Sequence, residues 1–220
     1  MRRKMDIVML AAGTSSRMGK ENKMLLPFEG MPMVTHCCMQ ALAFLEQYSQ
    51  ENNESCTLIV VTGYRHRSVG KALESCRLFV EKTSAPIRLL VVNNADYRKG
   101  QFSSTKVGTA EVSEGSPFFI SLADMPLITA DHYRKLVPLL GNHDAVRPYY
   151  ENKEDKVPGH PVLHAFRLKD AILKSPDSWT VSRILKSSDV FEPSFDDPAW
   201  SRDIDVPQDY ESISRPEIEL

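Results

Sequence analysis

Short apolar runs alternate with longer amphipathic segments over the first two thirds of the chain. The apolar runs are typical of buried strands, and they predict strands at 6–11, 57–62, 87–92 and 117–122. Apolar residues at helical spacing predict helices at 32–48, 66–80, 101–112 and 129–140. Alternating strands and helices favour right-handed crossovers and a mostly parallel sheet with helices on both faces. The pattern therefore predicts a three-layer α/β fold.

The carboxyl-terminal third departs from this rhythm, beginning after residue 141. A charged, loop-like stretch at 151–156 precedes Pro158-Gly159-His160-Pro161 and the apolar pair Val162-Leu163. Periodicity predicts helices at 167–174 and 179–187 and a short last strand at 202–206. The sequence contains no repeat, low-complexity segment or linker. We therefore expect residues 1–220 to form one domain.

Composition excludes several classes of protein. The 220 residues carry a formal net charge of −2, which gives no electrostatic reason to expect binding to nucleic acid or to a membrane surface. No apolar run approaches a membrane span, and the run after Met1-Arg2-Arg3-Lys4 is too short for a signal peptide. The cysteines lack metal-like or redox spacing, which indicates reduced, mostly buried thiols at Cys37, Cys38, Cys56 and Cys76. These features predict a cytoplasmic protein.

The loop after the first predicted strand carries the strongest chemical signal. It combines two glycines with hydroxyl and cationic side chains, and a loop at this edge of an α/β sheet offers backbone N–H groups to phosphates. The predicted phosphate-contacting residues are Leu10, Ala11, Ala12, Gly13, Thr14, Ser15, Ser16, Arg17 and Lys23. Arg17 and Lys23 would neutralise charge on a reacting triphosphate. The alternative is an ordinary strand-to-loop turn with a surface Arg and Lys.

Two common phosphate-binding motifs do not fit this loop. A P-loop has four residues between its glycines, whereas five separate Gly13 from Gly19, and Lys20 is followed by Glu21 rather than Ser or Thr. The dinucleotide fingerprint Gly-x-Gly-x-x-Gly is also absent. A different class of nucleotide-binding loop is therefore indicated.

Carboxylates follow the predicted sheet at two places. Asp124 comes directly after the strand at 117–122, and parallel topology places it at the same edge as the phosphate-binding loop. A carboxylate facing phosphates favours a divalent cation between them, and Mg²⁺ fits such oxygen ligands. Alternatively, Asp124 caps the helix at 129–140 or starts a turn. Alternation in 202–206 places Asp203 and Asp205 on one face, although Asp205 or Asp209 could simply begin a last helix.

These segments together resemble the MobA-like nucleotidyltransferases, and among them the molybdenum cofactor cytidylyltransferase branch. The matching segments, in chain order, are Leu10-Ala11-Ala12-Gly13 with Arg17-Met18-Gly19 and Lys23, Val61-Thr62-Gly63-Tyr64, Asn94-Ala95-Asp96-Tyr97 with Gly100, Ser103 and Ser104, Asp124-Met125-Pro126, Pro158-Gly159-His160-Pro161-Val162-Leu163 and Asp203-Ile204-Asp205-Val206-Pro207. The resemblance implies a Rossmann-like, nucleotide-diphospho-sugar transferase-like fold.

The resemblance also implies a reaction. A terminal phosphate of molybdopterin would attack the α-phosphate of CTP and expel pyrophosphate, with Arg17, Lys23 and Asp124 as catalytic residues. Asp124 and Asp205 would hold Mg²⁺. Further implied nucleotide contacts are Thr62, Gly63 and Ser104, and implied acceptor contacts are Gly100, Ser103, Gly159 and His160. Because the attacking phosphate is already an anion, positioning and charge neutralisation would carry the catalysis.

Some choices remain open at this level. Ala11-Ala12-Gly13 matches the cytidylyl members, whereas guanylyl members usually carry Ala-Gly-Gly, so CTP is preferred to GTP. One extra residue separates Gly19 from Lys23, so Lys20 could replace Lys23 at the phosphates. Other nucleotidyltransferases, with guanylyl, sugar-phosphate or methylerythritol-phosphate chemistry, share the loop. A non-catalytic molybdenum cofactor carrier for a molybdenum hydroxylase is a further alternative.

Overall fold

A computed structural model describes residues 4–15 and 22–214 of the chain. Within these ranges the strands are β1 (Asp6–Ala11), β2 (Pro27–Phe28), β3 (Met31–Pro32), β4 (Cys56–Thr62), β5 (Ile87–Asn93), β6 (Phe118–Leu122), β7 (Ala145–Val146), β8 (Tyr149–Glu151), β9 (Lys156–Pro158), β10 (Val162–His164), β11 (Val190–Phe191) and β12 (Ser194–Phe195). The helices are α1 (Met33–Asn52), α2 (His66–Ala72), α3 (Glu74–Lys82), α4 (Gln101–Ala110), α5 (Ala130–Leu136), α6 (Leu168–Lys174), α7 (Val181–Leu185) and α8 (Pro207–Ser214). No described helix is long and apolar enough to cross a membrane.

The central sheet has the strand order β11-β7-β10-β6-β1-β4-β5. Strand β1 pairs in parallel with β4 on one side and with β6 on the other, and β5 continues the parallel arrangement beyond β4. Among the described strands of this sheet, only β10 runs antiparallel to its neighbours, β6 and β7. The predicted mostly parallel sheet is confirmed. The carboxyl ends of its central strands therefore meet at one edge.

Strand β1 shows why this sheet requires a layer of helices on each face. Its residues are almost fully buried, and alternation sends Ile7 and Met9 to the face covered by α1, and Val8 and Leu10 to the opposite face. That second face packs against α4, α6 and α7. The predicted three-layer arrangement is confirmed. Free thiols at all four cysteines lie in the buried interior, as the sequence predicted.

Gly108 allows α4 to pack directly on the sheet. A Cβ atom there would lie 2.3 Å from Cγ1 of Val8 and 2.7 Å from Cγ2 of Val61, distances that no side chain tolerates. The close packing holds α4 against β1 and β4, with its first residue at the carboxyl edge of the sheet. This contact fixes one wall of the cleft described below.

Three predicted elements differ in the structure. The helix predicted at 66–80 is divided into α2 and α3, because the buried Leu73 leaves the helical conformation at φ −84° and ψ 9°. The helix predicted at 129–140 ends at Leu136 and continues as a 3-10 turn over Val137–Leu139, where Pro138 has no N–H to extend it. The prediction of a strand at 202–206 was wrong, because this segment is irregular. Its backbone is held at the edge of the sheet by a hydrogen bond from Ile204 N–H to the Asp124 carbonyl at 2.9 Å.

Candidate active site

A cleft of about 510 Å³ opens at the carboxyl edge of the sheet, between the segments that follow β1, β5 and β6. The predicted loop contributes Leu10, Ala12, Gly13, Thr14, Ser15 and Lys23 to its walls. The later predicted residues that line it are Gly100, Ser104, Asp124 and Asp205. The fold therefore gathers segments far apart in sequence into one concave site. Ser16 and Arg17, and the alternative Lys20, lie outside the described residues.

Local hydrogen bonds fix the position of Lys23. Ser15 adopts a left-handed backbone at φ 54°, and its hydroxyl accepts a hydrogen bond from Lys23 N–H at 3.1 Å. The Asn22 side-chain oxygen Oδ1 accepts from Met24 N–H at 3.0 Å and caps the 3-10 turn Lys23–Leu25. These bonds anchor the Lys23 backbone beside the beginning of the loop.

The side chain of Lys23 reaches across the cleft to two carboxylates. Its Nζ donates to Asp124 Oδ2 at 2.6 Å, to Asp205 Oδ1 at 2.8 Å and to the Ile204 carbonyl at 2.9 Å. Burial by itself disfavours the ammonium ion, but the charges and hydrogen bonds of Asp124 and Asp205 outweigh it and raise the pKa of Lys23. Lys23 is therefore a charged cation held among acidic side chains.

Three carboxylates form a cluster around this ammonium. One oxygen from each of Asp124, Asp203 and Asp205 lies within 4.8 Å of the others. Burial, together with the charges of Asp124 and Asp205, raises the pKa of Asp203. The alternation of Asp203 and Asp205 in sequence thus leads to one acidic site, although the segment that carries them is not a strand. Oxygen donors in this number suit a hard divalent cation.

Other residues take the helix-starting roles considered for these aspartates, although Asp124 does lie in the turn that follows β6. Helix α5 is capped by Thr129, whose N–H donates to His132 Nδ1 at 3.1 Å in a capping box, so Asp124 does not cap it. The start of α8 is stabilised by Asp209, whose Oδ2 accepts from the N–H groups of Asp205 and Val206 at 2.9 Å each. The Asp205 carboxylate is left facing Lys23.

The segment between β5 and α4 forms the opposite wall of the cleft. The Asn94 amide donates to the hydroxyls of Ser103 and Ser104 at 2.9 Å each. Ser104 lines the cleft, whereas the Ser103 hydroxyl donates to the Gly100 carbonyl at 2.8 Å. Gly100 has φ 104°, a conformation that favours glycine, and it makes the sharp entry into α4. Ser103 therefore organises this wall, and Ser104 faces the cleft.

Two predicted nucleotide contacts take packing positions. The Thr62 hydroxyl donates to the Val92 carbonyl at 3.0 Å within the sheet. A Cβ at Gly63 would lie 2.6 Å from Tyr97 Cβ and 2.9 Å from Ala12 Cβ, so glycine lets these loops approach each other. Neither Thr62 nor Gly63 is among the described residues that line the cleft.

Sequence reasoning missed several residues of the cleft wall. Tyr97, Arg98 and Gln101 line the cleft between the predicted positions, and the Arg98 guanidinium lies 5.7 Å from the centre of the Tyr97 ring. Their position directly after a strand at the ligand-binding edge was the signal that could have identified them. They add a cation and an aromatic face to the wall opposite Lys23.

A second cavity, of about 450 Å³, adjoins the first and shares Leu10, Gly100 and Gln101 with it. His160 lines this cavity, and its backbone N–H donates to the Trp200 backbone carbonyl at 2.8 Å. A Cβ at Gly159 would lie 2.4 Å from the same carbonyl oxygen, which explains the glycine before the histidine.

Two histidines in this second cavity are neutral. Burial lowers the pKa of His160, and it lowers the pKa of His164 to about 4. His160 Nδ1 and His164 Nε2 are buried and make no hydrogen bond to any described residue. The histidine part of the cavity wall therefore carries no positive charge.

Comparisons with known proteins identify this architecture. The family model of the MobA-like NTP transferase domain matches residues 7–190. The molybdenum cofactor cytidylyltransferase of Escherichia coli (strain K12) is 28% identical over 205 residues, covering 93% of this chain and 93% of that protein. The crystal structure of Rv0371c from Mycobacterium tuberculosis H37Rv is similar with a TM-score of 0.73 at 19% identity, covering 97% of this chain and 98% of that one. The crystal structure of the Rv0371c complex with manganese is similar with a TM-score of 0.69 at 17% identity, covering 96% of this chain and 98% of that one.

The family match includes the loop, the Asn94–Ser104 region, Asp124 and His160, and it ends before Asp203 and Asp205. Structural similarity over nearly the whole chain supports the same fold, including the part beyond the matched residues. The resemblance deduced from the motifs, and the nucleotidyltransferase fold that it implied, are confirmed. The chain belongs to the MobA-like NTP transferase domain family and is a nucleotidyltransferase.

Proposed function

We propose that this enzyme transfers CMP from CTP to molybdopterin or the molybdenum cofactor and releases pyrophosphate. The observation that carries the proposal is the meeting of Lys23 with Asp124 and Asp205 at one end of the cleft, below the glycine loop. The E. coli relative that matches almost the whole chain bears the name of this activity. The first observation supports nucleotidyl transfer, and the name of the relative favours CTP as the donor.

The first loop would bind the triphosphate. Gly13, Thr14 and Ser15 line the cleft where β1 ends, and backbone N–H groups there suit phosphate oxygens. Lys23, and Arg17 from the sequence motif, would add positive charge to this region. On the opposite wall, Ser104 would donate a hydrogen bond to the ribose or the base. The roles of Thr62 and Gly63 would be to support this site through packing.

The carboxylate cluster fits a divalent metal ion, which we propose to be Mg²⁺. Oxygen atoms from Asp124, Asp203 and Asp205 lie close enough together to share one ion, and an ammonium group already binds to two of them. The Rv0371c structure described as a complex with manganese supports a divalent metal in this fold. When bound, the ion would neutralise charge on the reacting phosphate oxygens.

The second cavity would receive the acceptor. It shares Leu10, Gly100 and Gln101 with the nucleotide cleft, so an acceptor bound there would lie next to the triphosphate. His160 would orient the acceptor through its neutral ring, while Gly159 and Ser103 would shape the surrounding backbone. No general base is required, because a phosphate acceptor is already ionised. The main contributions would be alignment and charge neutralisation.

A substrate survey tests the proposal. The protein is incubated with each of the four ribonucleoside triphosphates and Mg²⁺, with molybdopterin, with the molybdenum-containing cofactor, or without acceptor, and pyrophosphate is measured. We expect release from CTP that depends on an acceptor. Release from GTP, or only with a sugar phosphate or methylerythritol phosphate, would favour another nucleotidyltransferase. Tight cofactor binding without turnover would favour a carrier for a molybdenum hydroxylase.

A further inference from the structure

We infer that Lys23 is a tethered cation that occupies the carboxylate site and must leave it before a divalent metal can enter, so that metal and triphosphate enter together. The inference rests on the proposed function, in which Lys23 contacts phosphate and Asp124 and Asp205 hold the metal. In the structure, however, the Lys23 ammonium donates hydrogen bonds to Asp124 and Asp205 themselves. The two roles therefore compete for the same atoms.

The donor count on Lys23 shows the conflict. An ammonium group has three N–H donors, and Lys23 Nζ already has three acceptors in Asp124 Oδ2, Asp205 Oδ1 and the Ile204 carbonyl, at 2.6, 2.8 and 2.9 Å. It can donate to a phosphate only by giving up at least one of these bonds. A metal ion that takes the oxygens of Asp124 and Asp205 removes two of them.

The charge balance favours such an exchange. Three carboxylates lie close together and one ammonium pairs with two of them, so a negative charge remains that a divalent ion would neutralise better than Lys23 does. Displaced by metal alone, the buried Lys23 ammonium would lose its anionic partners, which is costly. A bound triphosphate supplies new oxygen partners and removes that cost. Metal and nucleotide should thus each strengthen the binding of the other.

Only the side chain has to move. The Lys23 backbone is held by Ser15 and by the 3-10 turn that Asn22 caps, while its four-carbon side chain can rotate. The Asp124 backbone carbonyl accepts from Ile204 N–H, and the backbone N–H of Asp205 donates to Asp209 Oδ2. The exchange needs no rearrangement of the fold.

The first test measures Mn²⁺ binding without nucleotide, by electron paramagnetic resonance. The Lys23→Met substitution retains most of the side-chain length and removes the competing charge. Because charged hydrogen bonds are strong, the dissociation constant of the variant for Mn²⁺ should be about tenfold lower than that of the wild type, or lower still. Lys174→Met is the matched control, because Lys174 is exposed and pairs only with Asp170 on α6 among the contacts described. Its Mn²⁺ affinity should equal that of the wild type.

The second test uses the wild-type enzyme and does not depend on the folding of a variant. Reductive methylation followed by peptide mass spectrometry measures the reactivity of each lysine. Lys23 should react slowly without metal and faster at saturating Mg²⁺, whereas Lys174 should be unaffected. An unchanged Mn²⁺ affinity in a folded Lys23→Met variant, or an unchanged Lys23 reactivity at saturating Mg²⁺, would overturn the inference.

Failure of the inference can be distinguished from failure of the proposed function. If the inference alone is wrong, the wild-type enzyme still releases pyrophosphate from CTP in the presence of the acceptor, while the Lys23→Met variant binds Mn²⁺ with unchanged affinity. If the proposed function alone is wrong, Lys23→Met still tightens Mn²⁺ binding while CTP yields no pyrophosphate with any acceptor.

Discussion

Asp124→Asn removes one negative charge from the carboxylate cluster while keeping the shape of the side chain. In the wild type, Asp124 Oδ2 accepts the shortest of the Lys23 bonds, at 2.6 Å, and the two side chains are 16% and 8% exposed. The asparagine carbonyl can still accept this bond, but the bond is no longer charge-assisted. The loss amounts to about 1 kcal/mol, the usual difference between charged and neutral hydrogen bonds. Relief of repulsion from Asp203 and Asp205 offsets part of it.

The variant should therefore fold and melt only slightly earlier. A loss of about 1 kcal/mol corresponds to a decrease in Tm of about 2–4 °C for a domain of this size. Turnover should fall far more, because an amide is a poor ligand for a hard cation. Loss of about 4 kcal/mol of transition-state stabilisation lowers the rate by about a thousandfold. Stability and activity should thus separate clearly in this variant.

The assay measures pyrophosphate release from CTP with the acceptor, as a function of Mg²⁺ concentration, with a thermal melt of the same sample. Asp170→Asn is the matched control, since Asp170 is exposed and its described ion pair is with Lys174 at 2.7 Å. This control should retain both rate and metal dependence. A stable Asp124→Asn variant with an undiminished rate and unchanged Mg²⁺ dependence would refute the metal role. The metal ligands would then be Asp203 and Asp205 without Asp124.

Three further predictions concern the nucleotide, the lysines and pH. Titration calorimetry with Mg²⁺ should give tighter binding for CTP than for GTP, because a site built for one base leaves polar groups unpaired with another; equal affinities would refute the base assignment. Lys23→Ala should lower turnover at least about a hundredfold and Lys20→Ala should change it little; the reverse would refute the alignment across the extra residue. Burial lowers the pKa of His164 to about 4, below its value of about 6.5 in unfolded chains, so the unfolded state binds more protons and the free energy of unfolding falls from pH 7 to pH 4. His164→Leu should reduce that slope in urea titrations, and an unchanged slope would contradict the burial of a neutral ring.

The central fold was predictable because its signals are local. Strand β1 is a continuous apolar run that ends abruptly in a glycine loop, and the strands that became β4, β5 and β6 carry similar runs. Strand topology then places the loop after β1 and Asp124 after β6 at one edge, which needs no knowledge of side-chain packing. These elements are specified by residues close together in sequence.

The remaining features depend on contacts that no local pattern contains. Residues 202–206 alternate like a strand, but Ile204 binds the backbone of Asp124 and Pro207 begins α8 at once. Gly63 matched a nucleotide-binding motif, yet its neighbours Ala12 and Tyr97 come from two other loops. The sequence assigned Lys23 to phosphate and Asp124 to metal. That they bind each other across 101 residues is a property of the folded chain alone.

The most direct measurement follows the α-phosphate and the γ-phosphate of CTP separately. The enzyme is incubated with molybdopterin, Mg²⁺ and CTP labelled with ³²P at either the α or the γ position, and the products are separated. We predict that the α label enters the pterin product in equal amount to the pyrophosphate released, and that the γ label appears only in pyrophosphate. An unlabelled pterin, from folded enzyme that binds CTP, would contradict nucleotidyl transfer to this acceptor.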